Sequence, residues 1–135
     1  MTAIVDAGPI VALVDADEDD HVRCHTTLRE LSGSLFTTWP AFSEAMYLLG
    51  RISWSAQDAA WQLQQSGAFV VADLDATSTS RAAGLMRKYR DVPMDLADAT
   101  LVALAEALEI RRVFTLDSDF QVYRYRDRQP FTLLP

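Results

Sequence analysis

Short apolar runs alternate along the chain with longer segments in which apolar residues recur every three or four positions. The apolar runs predict strands at residues 2–6, 35–38, 69–74 and 112–116, with a further edge strand at 131–134. The segments with helical spacing predict helices at residues 10–14, 21–31, 40–49, 54–65, 77–89 and 94–107. Strands that alternate with helices in this way form parallel sheets covered by helices on both faces.

The predicted fold is therefore α/β, with three layers and a central parallel sheet of about five short strands. A chain of 135 residues is long enough to bury a core and is expected to form one domain over residues 1–135. Pro9 and Pro40 fit the first turns of two helices, and Gly50 fits the end of the second one.

Charge excludes one class of function. The net charge of −7 argues against a protein that coats nucleic acid through bulk electrostatics, so any contact with nucleic acid must be local. No apolar run is long enough to span a bilayer, and a soluble cytoplasmic protein without membrane contact is expected. Cys24 is the only cysteine, which excludes an intrachain disulfide and predicts a small core residue.

His21 and His25 have the i, i+4 spacing of two metal ligands on one helix face. The chain has no other histidine, and the glutamate of a His-Glu-x-x-His zinc site is missing. Structural or surface histidines are the better interpretation.

Asp98 is the most informative acid in the sequence. On a helical wheel it falls on the same arc as Leu101, Val102 and Ala105, the stripe expected to face the core. An ionised carboxylate in such a position is costly unless something pairs with it. Asp95 lies one turn earlier, after Pro93, where a helix N-cap is expected.

Three more acids lie at matching topological points. Asp6 and Asp117 end predicted strands, and Glu44 lies on the helix that follows the second strand. Carboxyl ends of parallel strands meet at one edge of the sheet, where ligands usually bind, so these acids and Asp98 are expected to converge. Carboxylates about 6 Å apart repel by about 3 kcal/mol per pair at an effective dielectric of about 20.

Such a cluster must hold protons or bind a cation. A set of oxygen ligands without histidine or thiolate favours Mg²⁺ or Mn²⁺, and metal-assisted phosphodiester hydrolysis by an activated water follows. Thr115, two residues before Asp117, is a candidate for orienting the water or a phosphate oxygen. Taken singly, each acid also has a structural explanation as a cap or a turn residue.

Two other pairs of residues each have more than one interpretation. Arg81 and Lys88 share a helix face and are candidates for holding a phosphate backbone, although an exposed helix that balances an acidic protein explains them equally well. Tyr123 and Tyr125 are candidates for base stacking, but covering a sheet edge or forming a dimer contact is the favoured interpretation.

Four segments resemble the PIN-domain ribonucleases, and more narrowly the VapC toxins of bacterial toxin–antitoxin pairs. They are IVDAGPIVAL at residues 4–13, TTWPAFSEAMYLL at 37–49, MDLADATLVALAEAL at 94–108 and VFTLDSDF at 113–120. The resemblance covers nearly the whole chain in order, spacing and length. It implies a five-stranded parallel sheet and a Mg²⁺- or Mn²⁺-dependent endoribonuclease, the toxin of a type II toxin–antitoxin system.

The resemblance also assigns residues and partners. It makes Asp6, Glu44, Asp98 and Asp117 the acidic quartet, with Thr115 as the companion hydroxyl. Two further acids of the family pattern are second-tier candidates, Asp95 and Asp119. The implied partners are an RNA substrate, a second copy of the chain in a homodimer, and an antitoxin whose tail fills the acidic groove with an arginine.

Two alternative functions stay open. A phosphatase with an acidic site is the weaker one, because Asp6 has no second aspartate two residues later. A non-catalytic module that keeps the fold and binds RNA or protein is the other, and the presence of all four acids counts against it.

Overall fold

Five parallel strands form the centre of the protein in a computed structural model that describes residues 1–135. The chain has two further strands outside this sheet. In chain order all the strands are β1 (Ala3–Val5), β2 (Leu35–Thr38), β3 (Val70–Ala72), β4 (Arg112–Phe114), β5 (Arg124–Tyr125), β6 (Gln129–Pro130) and β7 (Thr132–Leu134). The main sheet has the order β3-β2-β1-β4-β7, and β5 and β6 form a separate antiparallel hairpin. The predicted parallel sheet and its edge strand near the chain end are confirmed, whereas the hairpin was not predicted.

Six helices connect the strands, as predicted. They are α1 (Ala7–Val14), α2 (His21–Glu30), α3 (Trp39–Gly50), α4 (Trp54–Gln65), α5 (Ala76–Lys88) and α6 (Leu96–Leu108), and a 3-10 helix covers Ser118–Gln121. α1 begins three residues earlier than predicted because the Asp6 side chain accepts a hydrogen bond from the amide of Ala7 and caps the helix. None of the helices is long and apolar enough to cross a membrane.

The order of the strands creates a crevice beside β1. The chain runs from β1 through β2 to β3 on one side, and then returns to place β4 on the opposite side of β1. The strand order therefore reverses between β1 and β4, where Val5 is paired with Phe114. In open α/β sheets ligands bind at such a reversal, beyond the carboxyl ends of the strands. Asp6 follows β1 directly at this point.

Alternating side chains along β1 divide the core into two layers. Ala3 and Val5 pack with α1 to α4, in a cluster that includes the buried Cys24. Ile4, on the opposite face, packs with α5 and α6. The three-layer arrangement and the core position of Cys24 were both predicted from the sequence.

Candidate active site

Three of the predicted acids meet at the crevice between β1 and β4. Asp6, Asp98 and Asp117 each offer a carboxylate oxygen, and these oxygens lie within 4.8 Å of one another. Glu44 and Asp95 line the same cleft, whose volume is about 260 Å³. The structure therefore brings together three of the four acids that were expected to converge, and Glu44 lines the same cleft without joining them.

Asp6 is fixed on both sides of its carboxyl group. Oδ1 accepts a hydrogen bond from the amide of Ala7 at 2.7 Å, and Oδ2 accepts one from Thr115 Oγ1 at 2.8 Å. The residue is 6% exposed, and this burial raises the pKa of Asp6 although both hydrogen bonds act in the opposite direction. The carboxylate is held in one orientation in an environment that penalises its charge.

Thr115 connects two of the acids. Its hydroxyl donates to Asp6 and accepts a hydrogen bond from the amide of Asp117 at 3.0 Å. Because the hydroxyl proton points to Asp6, the geometry gives Thr115 a role in positioning. Its contact with a water or a phosphate oxygen stays a prediction.

Asp98 occupies the buried position that the helical wheel predicts. It is the third residue of α6 and is 5% exposed, and its amide donates to Asp95 Oδ1 at 2.8 Å. Asp95 thus caps α6, as predicted, and the positive end of the helix dipole lies at the cluster. Burial, followed by the charges of Asp6, Asp95 and Asp117, raises the pKa of Asp98 to about 8.

Tyr123 is the site residue whose role sequence reasoning missed. Its hydroxyl donates to Asp98 Oδ2 at 2.8 Å, and its ring is fully buried between Tyr89 and Phe120, each with its centroid 5.1 Å away. Base stacking and a dimer contact are both wrong for Tyr123 because the side chain does not reach the surface. The spacing of Phe120 and Tyr123, which puts both rings on one face of a helical turn, was the available signal.

Tyr125 is also buried, which contradicts the proposals of base stacking and a dimer contact for this residue. Its ring packs edge to face against Phe131, the residue that precedes β7, with centroids 6.1 Å apart. The favoured interpretation of Tyr125, as cover for the sheet edge, agrees with this packing.

Besides Asp95, two of the predicted acids lie outside the close group. Glu44 is exposed on α3 and faces the cleft, and its pKa is raised, chiefly by partial burial and then by the charges of Asp95 and Asp6. Asp119 does not line the cleft, and its amide donates to Asp117 Oδ1 at 2.9 Å.

The donor set suits a divalent cation. The oxygens are close enough for repulsion on the order of 3 kcal/mol per pair at an effective dielectric of about 20, and no basic side chain lines the cleft. Oxygen-only ligands at one point, without histidine or cysteine, are what Mg²⁺ and Mn²⁺ prefer. The residues present therefore fit such an ion.

The remaining candidates are engaged elsewhere. His21 and His25 place a ring nitrogen 2.6 Å and 3.0 Å from the carbonyl oxygens of Ala12 and Leu13, which agrees with structural histidines. Arg81 and Lys88 both donate to Asp127, so a contact of these two side chains with RNA stays a prediction.

Comparisons with known proteins agree with this geometry. The chain is 29% identical over 134 residues to ribonuclease VapC26 of Mycobacterium tuberculosis, and the match covers 98% of this chain and 99% of that protein. The crystal structure of M. tuberculosis VapC20, described as a toxin that cleaves the sarcin-ricin loop, superposes with a TM-score of 0.83 at 21% identity. That superposition covers 96% of this chain and all of VapC20.

Two toxin–antitoxin assemblies share the fold at lower identity. VapBC2 of Rickettsia felis, bound to a DNA fragment from its promoter, matches with a TM-score of 0.67 at 12% identity over 98% of this chain and 97% of the matched chain. A toxin–antitoxin complex from Klebsiella pneumoniae matches with a TM-score of 0.66 at 17% identity over 87% of this chain and 89% of the matched chain. The PIN domain family itself matches residues 3–124, and on that extent the chain belongs to the PIN domain family.

Proposed function

We propose that the protein is an endoribonuclease that hydrolyses RNA phosphodiesters with Mg²⁺ or Mn²⁺, and that it is the toxin of a type II toxin–antitoxin pair. The observation that carries the proposal is the meeting of Asp6, Asp98 and Asp117 within 4.8 Å in a cleft without a basic side chain. The similarity to a protein named ribonuclease VapC26, over nearly the whole length of both chains, supports the choice of RNA.

The three close acids are the proposed cation ligands. When bound, a divalent cation supplies Lewis-acid activation of water and neutralises charge on the phosphodiester. Asp6 and Asp98 are buried and oriented, which fixes two of the ligands, while Asp117 is exposed and faces the substrate side. The chain's own contribution is to keep these oxygens close together and to bring the scissile phosphate against them.

Two hydroxyl groups position the ligands. Thr115 donates to Asp6, and Tyr123 donates to Asp98, in each case to Oδ2. A hydrogen bond donated to a carboxylate favours its charged form, so both hydroxyls oppose the effect of burial and keep the acids ready for a cation. Residues of this kind often matter nearly as much as the ligands themselves.

Glu44, on α3, lines the same cleft and completes the proposed quartet. Its carboxylate is on α3, and its raised pKa results from partial burial and from the neighbouring acids. We assign to it the outer ligand position. Asp95 serves first as the cap of α6, and Asp119 is a weaker candidate because it lies outside the cleft.

The partners belong to the same proposal. An antitoxin with an arginine in its tail would find uncompensated carboxylates in the cleft, and the toxin–antitoxin complexes that share the fold support such a partner. Assembly as a homodimer, a single domain over residues 1–135 and a cytoplasmic location complete the proposal.

One experiment tests the chemistry. Without metal, Asp98→Asn should melt higher than the wild type at pH 8, because it removes a buried charge that nothing in the protein neutralises. Mn²⁺ should raise the melting temperature of the wild type and change that of Asp98→Asn little. The variant should also lose RNA cleavage by at least about 100-fold, a loss on the order of 3 kcal/mol.

Asp91→Asn is the matched control, because Asp91 is exposed, precedes α6 and does not line the cleft. It should keep both the response to Mn²⁺ and the cleavage of RNA. Cleavage by Asp98→Asn at the wild-type rate would overturn the mechanism. A wild type that neither binds Mn²⁺ nor cuts RNA, but binds the product of a neighbouring gene, would identify an interaction module instead.

A further inference from the structure

We propose that a second cleft, beside the acidic one, holds the RNA strand next to the bond that is cut, and that Arg23 binds a backbone phosphate there. The inference rests on the proposed nuclease function. The cleft has a volume of about 240 Å³ and lies between α2, the 3-10 helix and the end of β7. We call it the Arg23 cleft, defined by Asp20, Arg23, Ser118, Gln121 and Leu133.

The two clefts share a wall. Leu116 and Asp117 line both the acidic cleft and the Arg23 cleft, so a strand that passes over this segment runs from one into the other. Asp117 is the exposed member of the acidic cluster. A phosphodiester at Asp117 therefore has its neighbouring nucleotide beside the Arg23 cleft.

Arg23 is the one basic residue that lines either cleft. In a protein with a net charge of −7, contact with a phosphate backbone must come from local cations. The basic residues Arg81 and Lys88 are already paired with acids on α6 and in the β5–β6 hairpin. Arg23 is therefore the basic residue in position to compensate a phosphate beside the acidic cluster.

The side chain of Arg23 has capacity left for a phosphate. Its Nη1 atom makes one contact, at 3.2 Å, with Asp20 Oδ1, and the Arg23 side chain is 60% exposed. Nε and Nη2 stay available for the paired hydrogen bonds that arginine makes with phosphate oxygens. Leu133 supplies an apolar surface in the cleft, while Ser118 and Gln121 supply polar groups, a combination that suits a nucleoside.

A charge-matched pair of variants tests the inference. Arg23→Gln and Arg29→Gln each remove one exposed cation from α2, but Arg29 does not line the Arg23 cleft. Cleavage of fluorescently labelled single-stranded RNA of randomised sequence is followed with Mn²⁺ at several salt concentrations. Arg23→Gln should raise KM about tenfold, the effect of losing one charge-assisted contact, and leave kcat unchanged.

Salt dependence separates a phosphate contact from a structural effect. Arg23→Gln should reduce the slope of log KM against log salt concentration by about 1, because one fewer phosphate is neutralised. Arg29→Gln should keep the wild-type KM and slope. Asp20→Asn should lower KM, since it releases Arg23 from its partner without removing a side-chain cap of α2.

The outcomes distinguish this inference from the nuclease proposal. If the wild type cleaves the RNA but Arg23→Gln and Arg29→Gln have the same KM and salt slope, the Arg23 cleft holds no phosphate and the nuclease function stands. If the wild type with Mn²⁺ leaves the RNA intact, the nuclease function fails and this inference fails with it. If Arg23→Gln alone lowers both kcat and the melting temperature and leaves the salt slope unchanged, Arg23 has a structural role instead.

Discussion

The two ends of α6 carry acidic side chains in opposite electrostatic situations. At the first turn Asp98 lies close to Asp6 and Asp117, and no basic side chain lines their cleft. In the last turn Glu106 accepts hydrogen bonds from Arg81 through both of its oxygens, at 2.8 Å and 3.2 Å. One helix thus carries an acid without a cation and an acid that is fully paired.

The contacts around the last turn of α6 hold the β5–β6 hairpin in place. Asp127, in the β5–β6 hairpin, accepts from Arg81 at 3.0 Å and from Lys88 at 2.7 Å, while the amide of Arg126 donates to Glu106. These contacts hold the pKa of Asp127 below its usual range, whereas burial and like charges raise the pKa of Asp98. Compensated acids in this protein hold elements together, and uncompensated ones leave a position for an external cation.

The largest expected effect is the pH dependence of stability without metal. Folded Asp98 keeps its proton up to a pKa of about 8, whereas the unfolded side chain loses it near a pKa of about 4. Between these values the folded state binds more protons, so stability should fall as the pH rises, by about 4 kcal/mol at most between pH 5 and pH 8. Urea denaturation in EDTA at pH 5 and pH 8 measures the difference.

The titration of Asp127 does not affect the comparison of stability at pH 5 and pH 8. Its lowered pKa gives a contribution that is present above the unfolded pKa of about 4 and is lost only in stronger acid. Asp98→Asn should reduce the dependence between pH 5 and pH 8 to the part that Asp6 and Glu44 contribute through their own raised pKa values, and Mn²⁺ should reduce it in the wild type. Equal stability of the metal-free wild type at both pH values would contradict the uncompensated state of the cluster.

The next effect concerns the paired end. Glu106→Gln should destabilise the protein by about 2 kcal/mol, because it removes the more buried of the two acidic partners of the half-buried Arg81 guanidinium. Glu109→Gln is the control, since Glu109 is 76% exposed and pairs with Arg126 at 3.6 Å. Chemical denaturation should show a change below about 0.5 kcal/mol for the control. If Glu106→Gln and Glu109→Gln destabilise the protein equally, Glu106 is paired no more strongly than an exposed acid, and the proposed difference between the two ends of α6 is wrong.

A smaller effect is expected when the Tyr123 hydroxyl is removed, and it tests the role of that group. Tyr123→Phe should cost about 1 kcal/mol for the lost hydrogen bond. It should also raise the pKa of Asp98 further, because the hydroxyl favours the charged carboxylate. Mn²⁺ affinity near pH 7, measured by calorimetry, should therefore decrease. Tyr89→Phe is the control, because the Tyr89 hydroxyl accepts a backbone hydrogen bond from Arg124 and does not contact Asp98.

The smallest effect is expected at Lys88. Its ammonium pairs with Asp127 near the surface, so Lys88→Gln should change stability by less than about 0.5 kcal/mol. The same variant tests the prediction that Arg81 and Lys88 hold a phosphate backbone. A rise in KM for RNA would show that the substrate displaces Asp127 from Lys88, and an unchanged KM would leave the pair a purely structural one.

The sequence was sufficient for the features that depend on local periodicity and topology. The burial of Asp98 follows from the spacing of Leu101, Val102 and Ala105, and the cap by Asp95 follows from its position one turn earlier. The parallel sheet follows from the alternation of strands and helices, and it brings Asp6 and Asp117 together. Each of these inferences needs only a short stretch of sequence or a general rule of chain topology.

The features that were missed depend on contacts between distant side chains. The bond from Tyr123 to Asp98 joins residues 25 apart, and the bond from Arg81 to Asp127 joins residues 46 apart. Asp127 reaches its partners through a turn in which it has a positive φ of 63°, a conformation that the sequence around it did not predict. Glu44 was expected to converge with the other acids, but it lies outside the close group on the exposed side of α3.

The bond from Thr115 to Asp6 spans 109 residues and joins the segment after β4 to the acid that follows β1. During synthesis β1 emerges before β4, so the carboxylate of Asp6 lacks Thr115 and Asp117 until the ribosome has passed the segment that follows β4. Under the proposed function, the nascent chain is therefore inactive until the segment after β4 has joined β1. The acidic cluster, and with it the cleft that an antitoxin would fill, forms only at that stage.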